Sequence, residues 1–337
     1  MKPLVSILIP TYNRPHFLEQ ALKSALDQTY PNIEIIICDN SDDDTTKLVV
    51  QPYLSSPNGS KIKYIKHKKN IGPIPNQQMC LDLSAGEYIN YLMDDDLLHP
   101  KKIQKMIKYL IADKTVALVT SRKMIIDESG KPIKVFPATV PFKHLNGKKP
   151  LINGKKVLKK MLHHQRNYIG EPTTPLFRKK DLKEPFGTFL GYQAMSSVDA
   201  ASWMSLLTKK NAVYLSEPLS SFRKHSGRLA KSKLYPMARI CDWIVFTVIT
   251  RENGLFKNTE AFVRSVQRFE KPVLHRFIKW NRITDDKYVR EFIKRVRLLI
   301  KACKNNNQLN SMTPELKSLL AELKKRKEEK RLNDLSR

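Results

Sequence analysis

The chain has 337 residues, and 61 Lys and Arg against 32 Asp and Glu leave a formal net charge of +29. Its hydrophobic fraction of 41% supplies a real core, and the length fits one large α/β domain with an extension, or two domains. Four scattered cysteines (Cys38, Cys80, Cys241, Cys303) form no CxxC pair, which argues against a zinc site or disulfide framework and suits a reducing cytoplasm; no apolar run reaches the roughly 18 residues of a membrane span, and no signal peptide precedes the first strand.

Residues 4–9 read as a buried strand, followed by the turn Thr11-Tyr12-Asn13-Arg14-Pro15. Pro15 suits a first helical turn, and Phe17, Leu18, Ala21, Leu22, Ala25 and Leu26 then recur at helical spacing. A second strand over 33–38 is nearly all apolar, as a strand buried on both faces is. Residues 4–38 therefore form a βαβ unit with a right-handed crossover. A helix over 45–54 and a strand over 61–67 follow. Asn70-Ile71-Gly72-Pro73 marks a turn, and residues 76–84 a short helix. A fourth strand over 87–93 runs into Asp94-Asp95-Asp96, then come a helix over 100–110 and a strand over 116–120. Residues 131–153 are rich in Pro, Gly and Lys and read as a long loop or irregular strands over the sheet edge. Asn153 caps a helix to His164; 169–178 is strand-like, 198–207 helical, 213–215 a short strand and 218–223 extended. His163 and His164 are expected at the surface. Beyond about 231 the chain is basic and helical, with candidates over 239–250, 261–269, 287–302 and 314–329.

Carboxylates at the C-terminal end of a strand lie where open α/β sheets bind ligands. Three in a row repel one another and call for a compensating cation, which oxygen ligands suit. Asp39 ends the second strand, where a carboxylate can accept a hydrogen bond from a nucleobase or ribose. Asp42–Asp44 read as charge and capping for the next helix. The turn at Thr11–Arg14 offers a hydroxyl, an aromatic ring and a cation to a nucleotide; taken alone, an ordinary helix start capped by Asn13 is the favoured reading. Asp199 opens a helix, where the dipole alone favours a negative charge.

Three segments in this order and spacing resemble glycosyltransferase family 2. They are Val5-Ser6-Ile7-Leu8-Ile9-Pro10-Thr11-Tyr12-Asn13-Arg14, Ile37-Cys38-Asp39-Asn40-Ser41, and Gly86-Glu87-Tyr88-Ile89 running into Asp94-Asp95-Asp96. Further matches are Asn70-Ile71-Gly72 with Asn76, Ile169-Gly170-Glu171-Pro172 with Leu176-Phe177-Arg178, and Phe222-Arg223-Lys224-His225-Ser226-Gly227. The resemblance covers about residues 4–230. It implies a GT-A-type, Rossmann-like fold with a mostly parallel sheet flanked by helices, here carrying an α-helical C-terminal extension. It also implies a nucleotide-sugar donor, commonly a UDP-sugar, and inversion at the anomeric carbon. Carried onto this chain, the donor would meet Pro10, Thr11, Tyr12, Arg14, Asp39, Asn76, Asp94 and Arg223. Asp95 and His225 would hold Mn²⁺ or Mg²⁺, and Asp199 would be the general base. Two departures stand out: Met93 replaces a usual aspartate, and Val198 replaces the usual acidic neighbour of the base.

The expected organisation is a catalytic domain over 1–230, split into a nucleotide-binding half (1–120) and an acceptor-binding half (121–230), then a basic helical region over 231–337. The acceptor is expected to be a glycan or lipid-linked hydroxyl. Basic helices interleaved with Trp243, Phe246, Phe277 and Trp280 suit an anionic membrane face, or a homo-oligomer. The place of action is expected to be the cytoplasm, with peripheral attachment to the inner face of the cell membrane. A catalytically idle sugar-nucleotide-binding relative is the main alternative. A nucleic-acid-binding protein would explain the charge, but no helix-turn-helix, zinc-finger or RNP signature is present, and it leaves Asp94–Asp96 and Asp199 without a role.

Overall fold

The computed structural model describes residues 2–135, 151–225 and 235–255, with 262, 264, 265 and 268 singly. In chain order the strands are β1 (Val5–Thr11), β2 (Ile33–Asp39), β3 (Ile62–Lys66), β4 (Tyr88–Tyr91), β5 (Leu97–Leu98), β6 (Val116–Ile126), β7 (Pro132–Val135), β8 (Leu151–Ile152), β9 (Leu176–Arg178), β10 (Thr188–Phe189), β11 (Tyr192–Gln193) and β12 (Asn211–Arg223). The helices are α1 (Pro15–Leu26), α2 (Thr45–Leu54), α3 (Pro73–Asp82), α4 (Lys102–Ala112), α5 (Gly154–His164), α6 (Val198–Leu207) and α7 (Tyr235–Glu252).

One sheet runs in the order β3-β2-β1-β4-β9-β6-β12-β5, with β7 on β6 and β8 on β12. The pairs β1–β2, β2–β3, β1–β4 and β6–β12 are parallel, whereas β9 lies antiparallel between β4 and β6. Every residue of β1 is buried, because both faces of the sheet are covered. Val5, Ile7 and Ile9 alternate onto one core with Leu18, Ala21, Leu22 and Ala25 of α1 and Ile103, Met106, Ile107 and Leu110 of α4. Gly86 approaches the other face of β1 so closely that a Cβ there would meet Ser6 Oγ at 2.4 Å.

Strand order reverses between β1 and β4: β2 and β3 were added on one side of β1, β4 on the other. Ligands in open α/β sheets gather outside the carboxyl ends of strands at such a switch point. Thr11–Arg14 leave β1 there and Asp94–Asp96 follow β4.

Several expectations change in detail. The strand over 116–120 extends to Ile126, and the segments 213–215 and 218–223 are one strand, β12. Its register on β6 slips between Leu215 and Pro218, where Pro218 offers no N–H to the ladder. The segment 169–178 is strand only from Leu176, since Gly170, Pro172 and Pro175 interrupt it. Asn13 does not cap α1; it stands in the left-handed region at φ 52°, and no side chain caps that helix. Asp44 precedes α2 without a capping bond, while Asp43 Oδ1 accepts from the Thr45 amide at 3.0 Å. Asn153 does cap α5, through the Lys156 amide at 3.0 Å. His163 and His164 are half-buried rather than at the surface.

The chain forms two compact units. One comprises Met1–Leu158, Asn167–Gln193 and Val198–Arg228; the other comprises Lys159–Arg166, Ala194–Ser197 and the chain from Leu229. In the second, fully buried Asp242 of α7 accepts the backbone N–H groups of Met195, Ser196 and Ser197 at 2.9, 2.8 and 2.7 Å. Of the C-terminal helices expected, 239–250 lies within α7; those over 287–302 and 314–329, and most of 261–269, lie outside the described residues. No described helix is long and apolar enough to cross a membrane.

Candidate active site

The three consecutive aspartates point to three different places because the chain turns beneath them. The Asp96 amide donates to Met93 O at 3.0 Å, which closes a turn and breaks the two-residue alternation of β4. Asp94 accepts from Thr11 Oγ1 at 2.9 Å and from Arg14 Nη1 at 3.1 Å, so it ties the β1 loop to the end of β4. Asp96 accepts from Thr173 Oγ1 at 2.6 Å and from the Arg223 amide at 3.1 Å. Both are buried. Asp95 is the partly exposed member: its Oδ2 meets His225 Nε2 at 2.9 Å and Arg14 Nη1 at 3.2 Å.

Burial first, then the Asp95 charge, pushes Asp94 up to about 6 against the pull of Arg14 and Thr11. The same two causes hold Asp96 well above the usual carboxylate range. Such a site favours added positive charge. Among the described residues no group of three His, Cys, Asp or Glu could hold a metal ion. Asp95 and His225 nevertheless offer one carboxylate and one imidazole side by side. A divalent cation bound through one or two protein ligands commonly completes its shell with substrate phosphates and water. The donor set therefore fits an ion that enters with a diphosphate rather than one caged by the protein.

The rest of the expected donor set divides between residues at the surface and residues turned inward. Tyr12 is 45% exposed, and its hydroxyl donates to Asp42 at 2.9 Å. Arg14 is partly exposed. Pro10 and Thr11 are buried within β1. Asp39 is fully buried; Ser41 N–H and Tyr64 O–H donate to it at 2.8 and 2.6 Å, and Lys66 Nζ lies 3.4 Å away. Asn76 is turned inward. It is buried, donates to Cys38 O at 3.0 Å, and its oxygen meets His67 Nε2 at 2.9 Å. It braces the strand ends.

Arg223 is turned inward as well. Its guanidinium is buried, bonding Asp95 O at 2.8 Å, Glu128 O at 2.9 Å and Gln20 Oε1 at 2.9 Å, and it lies over the Phe17 ring. It fixes the backbone of Asp95. Phe17 also packs against the His225 ring at 5.0 Å between centroids, which orients that imidazole.

Asp199 stands in the first turn of α6. Its Oδ1 accepts the Ala200 amide at 2.7 Å and its Oδ2 accepts Asn167 Nδ2 at 2.8 Å. Burial raises this carboxyl to about 6, with Glu171 adding to the rise. A base that titrates near working pH is well matched to proton transfer. Asn167 also binds Gly170 O and accepts the amides of Ile169 and Gly170, so its loop is wound around the side chain. Glu171 lies within the Ile169–Pro172 motif, whereas Asn167 and Lys123 lie in no motif of the sequence. The signal for Glu171 was its place beside Gly170 and Pro172; Asn167 and Lys123 carried none.

Two cavities of about 450 and 590 Å³ open near Gly86–Tyr88, at the opposite end of β4, and neither contains Asp94, Asp95, Asp96 or Asp199.

The family model described as Glycosyl transferase family 2 matches residues 6–184. The chain belongs to this family. Among relatives of this chain, the putative teichuronic acid biosynthesis glycosyltransferase TuaG of Bacillus subtilis is 25% identical over 265 residues, covering 78% of this chain and 94% of that one. The uncharacterized glycosyltransferase MJ1057 of Methanocaldococcus jannaschii is 29% identical over 177 residues, 49% of this chain and 60% of that one. Chondroitin synthase of Escherichia coli is 35% identical over 133 residues, 39% and 19% respectively. The match thus spans less than two thirds of the archaeal relative and a fifth of the synthase. In structure, S. aureus TarS 1-349 in complex with UDP-GlcNAc superposes with a TM-score of 0.60 at 16% identity, over 90% of this chain and 81% of that one. The mannosyltransferase PcManGT of Pyrobaculum calidifontis, in complex with GDP-Man and Mn²⁺, gives 0.52 at 16%, over 95% and 79%. The fold is of the GT-A type.

Proposed function

We propose that this glycosyltransferase moves a sugar from a nucleotide-sugar, a UDP-sugar in the first instance, to a hydroxyl of a glycan or lipid-linked acceptor, with inversion. What supports this reading is a single loop, residues 167–174, which hydrogen-bonds Asp199 through Asn167 and Asp96 through Thr173. Family membership and the TuaG likeness favour a cell-surface polymer as acceptor.

In this mechanism Tyr12 and the Asp39 loop receive the nucleoside, and Arg14 faces its diphosphate. Asp95 and His225 would hold Mn²⁺ or Mg²⁺, and such an ion would supply positive charge to offset the diphosphate leaving group. The acceptor oxygen attacks the anomeric carbon as the bond from that carbon to the diphosphate oxygen breaks. Asp199 takes the acceptor proton, and one displacement inverts the centre. General base catalysis of this kind contributes about 10²–10⁴-fold.

UDP-, GDP- and dTDP-sugars assayed for Mn²⁺-dependent turnover test the reading, with the anomeric configuration of the product read by NMR. Donor binding without transfer or donor hydrolysis would make the chain a sugar-nucleotide-binding relative. The basic region over 231–337 is proposed to hold the enzyme to the cytoplasmic membrane face. Flotation with anionic but not neutral liposomes is the expected result.

A further inference from the structure

We propose that Glu171 is a specificity-determining residue of the transfer site, whose carboxylate accepts hydrogen bonds from hydroxyls of the acceptor sugar beside Asp199. The inference rests on the transfer reading above and adds to it the group that recognises the acceptor.

The loop that carries Glu171 is pinned along its length. Asn167 binds Asp199, Trp203 Nε1 donates to Gly170 O at 2.9 Å, Thr173 binds Asp96, and Lys102 Nζ donates to Thr174 O at 2.5 Å. The Thr174 amide closes a turn onto Glu171 O at 2.8 Å, with Pro172 in the second position, where its fixed φ suits a turn. Gly170 has φ +114°, and a Cβ there would lie 2.9 Å from Thr174 Cβ. The Glu171 backbone is thus set by its neighbours on both sides.

Its side chain is held as well, yet remains in contact with solvent. Lys123 of β6 forms an ion pair with Glu171 Oε2 and lies over the Phe222 ring, and the Glu171 side chain is 32% exposed. Among the described residues Oε1 accepts no hydrogen bond. A carboxylate with a spare oxygen on a rigid turn suits hydroxyl recognition, because little order is lost on binding. The position fits the acceptor: the Glu171 charge raises the pKa of both Asp199 and Asp96, so it lies within electrostatic reach of the proposed base and of the triplet. It also supplies a carboxylate near the base in a chain where Val198 occupies the usual acidic position.

The test uses the full chain with UDP and Mn²⁺, and a panel of p-nitrophenyl hexosides and hexuronides as acceptor probes. Binding is read by saturation-transfer NMR, and transfer is followed for those that turn over. Glu171→Gln keeps shape and removes charge. It should weaken glycoside binding, or raise acceptor KM, about 10–100-fold, as loss of a hydrogen bond to a charged group does. UDP affinity and Tm should stay at wild-type values, and a probe lacking the contacted hydroxyl should no longer distinguish the two proteins. Unchanged glycoside binding across the panel, or an equal loss of UDP affinity, overturns the proposal. So does a shifted acid limb of the pH–rate profile with unchanged acceptor KM, which would make Glu171 only an electrostatic neighbour of Asp199. Asp199→Asn separates the two ideas: if it transfers sugar normally, the transfer reading fails whatever Glu171 does.

Discussion

The end of β4 and the start of α6 each hold a carboxyl raised to about 6, and they reach that state differently. Asp94 is surrounded by charge: Asp95 raises it, Arg14 lowers it, and Thr11 bonds it. Asp199 is raised mainly by burial, and its bonding partners are an amide of its own helix and one asparagine. The first arrangement suits a group that stays fixed while a charged ligand arrives. The second suits a group that gains and loses a proton, since no cation bonds it directly.

The sharpest way to break this comparison is Asp199→Asn. It should lower kcat about 10²–10⁴-fold while UDP affinity, read by calorimetry, stays near wild type. Asp95→Ala should abolish the Mn²⁺ dependence of UDP binding with a smaller effect on binding measured without metal. An unchanged Mn²⁺ dependence would move the ion elsewhere. In wild type, kcat/KM should fall tenfold per pH unit below about 6, because the proposed base Asp199 accepts a proton only when ionised; an acid limb that survives in a donor-hydrolysis assay of the Asn variant would assign it to another group.

Smaller effects concern the scaffold beneath both regions. Thr173→Val removes the partner of buried Asp96 and of the Met93 amide, so urea unfolding should report a loss of about 1–3 kcal/mol. Lys102 is fully buried on α4, and burial pushes it down to about 7. Between pH 7 and 10 the unfolded chain therefore binds more protons at this residue than the folded one. Its contribution is present at high pH and lost as pH falls towards 7, with a slope of at most about 1.4 kcal/mol per pH unit. Lys102→Met should flatten that part of the stability profile.

Local pattern carried the elements whose residues decide their own fate. Helix α6 spans the residues that its sequence predicts, and β1 and β2 read as buried strands because nearly every side chain is apolar. Strand ends were legible for the same reason, and with them the positions of Thr11, Asp39 and Asp94–Asp96. Long-range pairing was not. β12 looked like two pieces because Pro218 interrupts a pattern that pairing with β6 carries through with a shift in register. The family resemblance gives Asn76 and Arg223 as donor contacts, but their hydrogen-bond partners, Cys38 O for one and Asp95 O with Gln20 for the other, come from distant segments that no local pattern shows.

The sequence by itself determined that an acidic triplet ends a buried strand of a glycosyltransferase family 2 chain. Right-handed βαβ crossovers and apolar strands leave that strand end no other edge of the sheet. Only the tertiary structure decided that the three aspartates differ. The Met93–Asp96 turn sends Asp94 to Thr11 and Arg14, Asp96 to Thr173 and the Arg223 amide, and leaves Asp95 facing His225. These partners lie between 77 and 130 residues away along the chain, where no local pattern reaches.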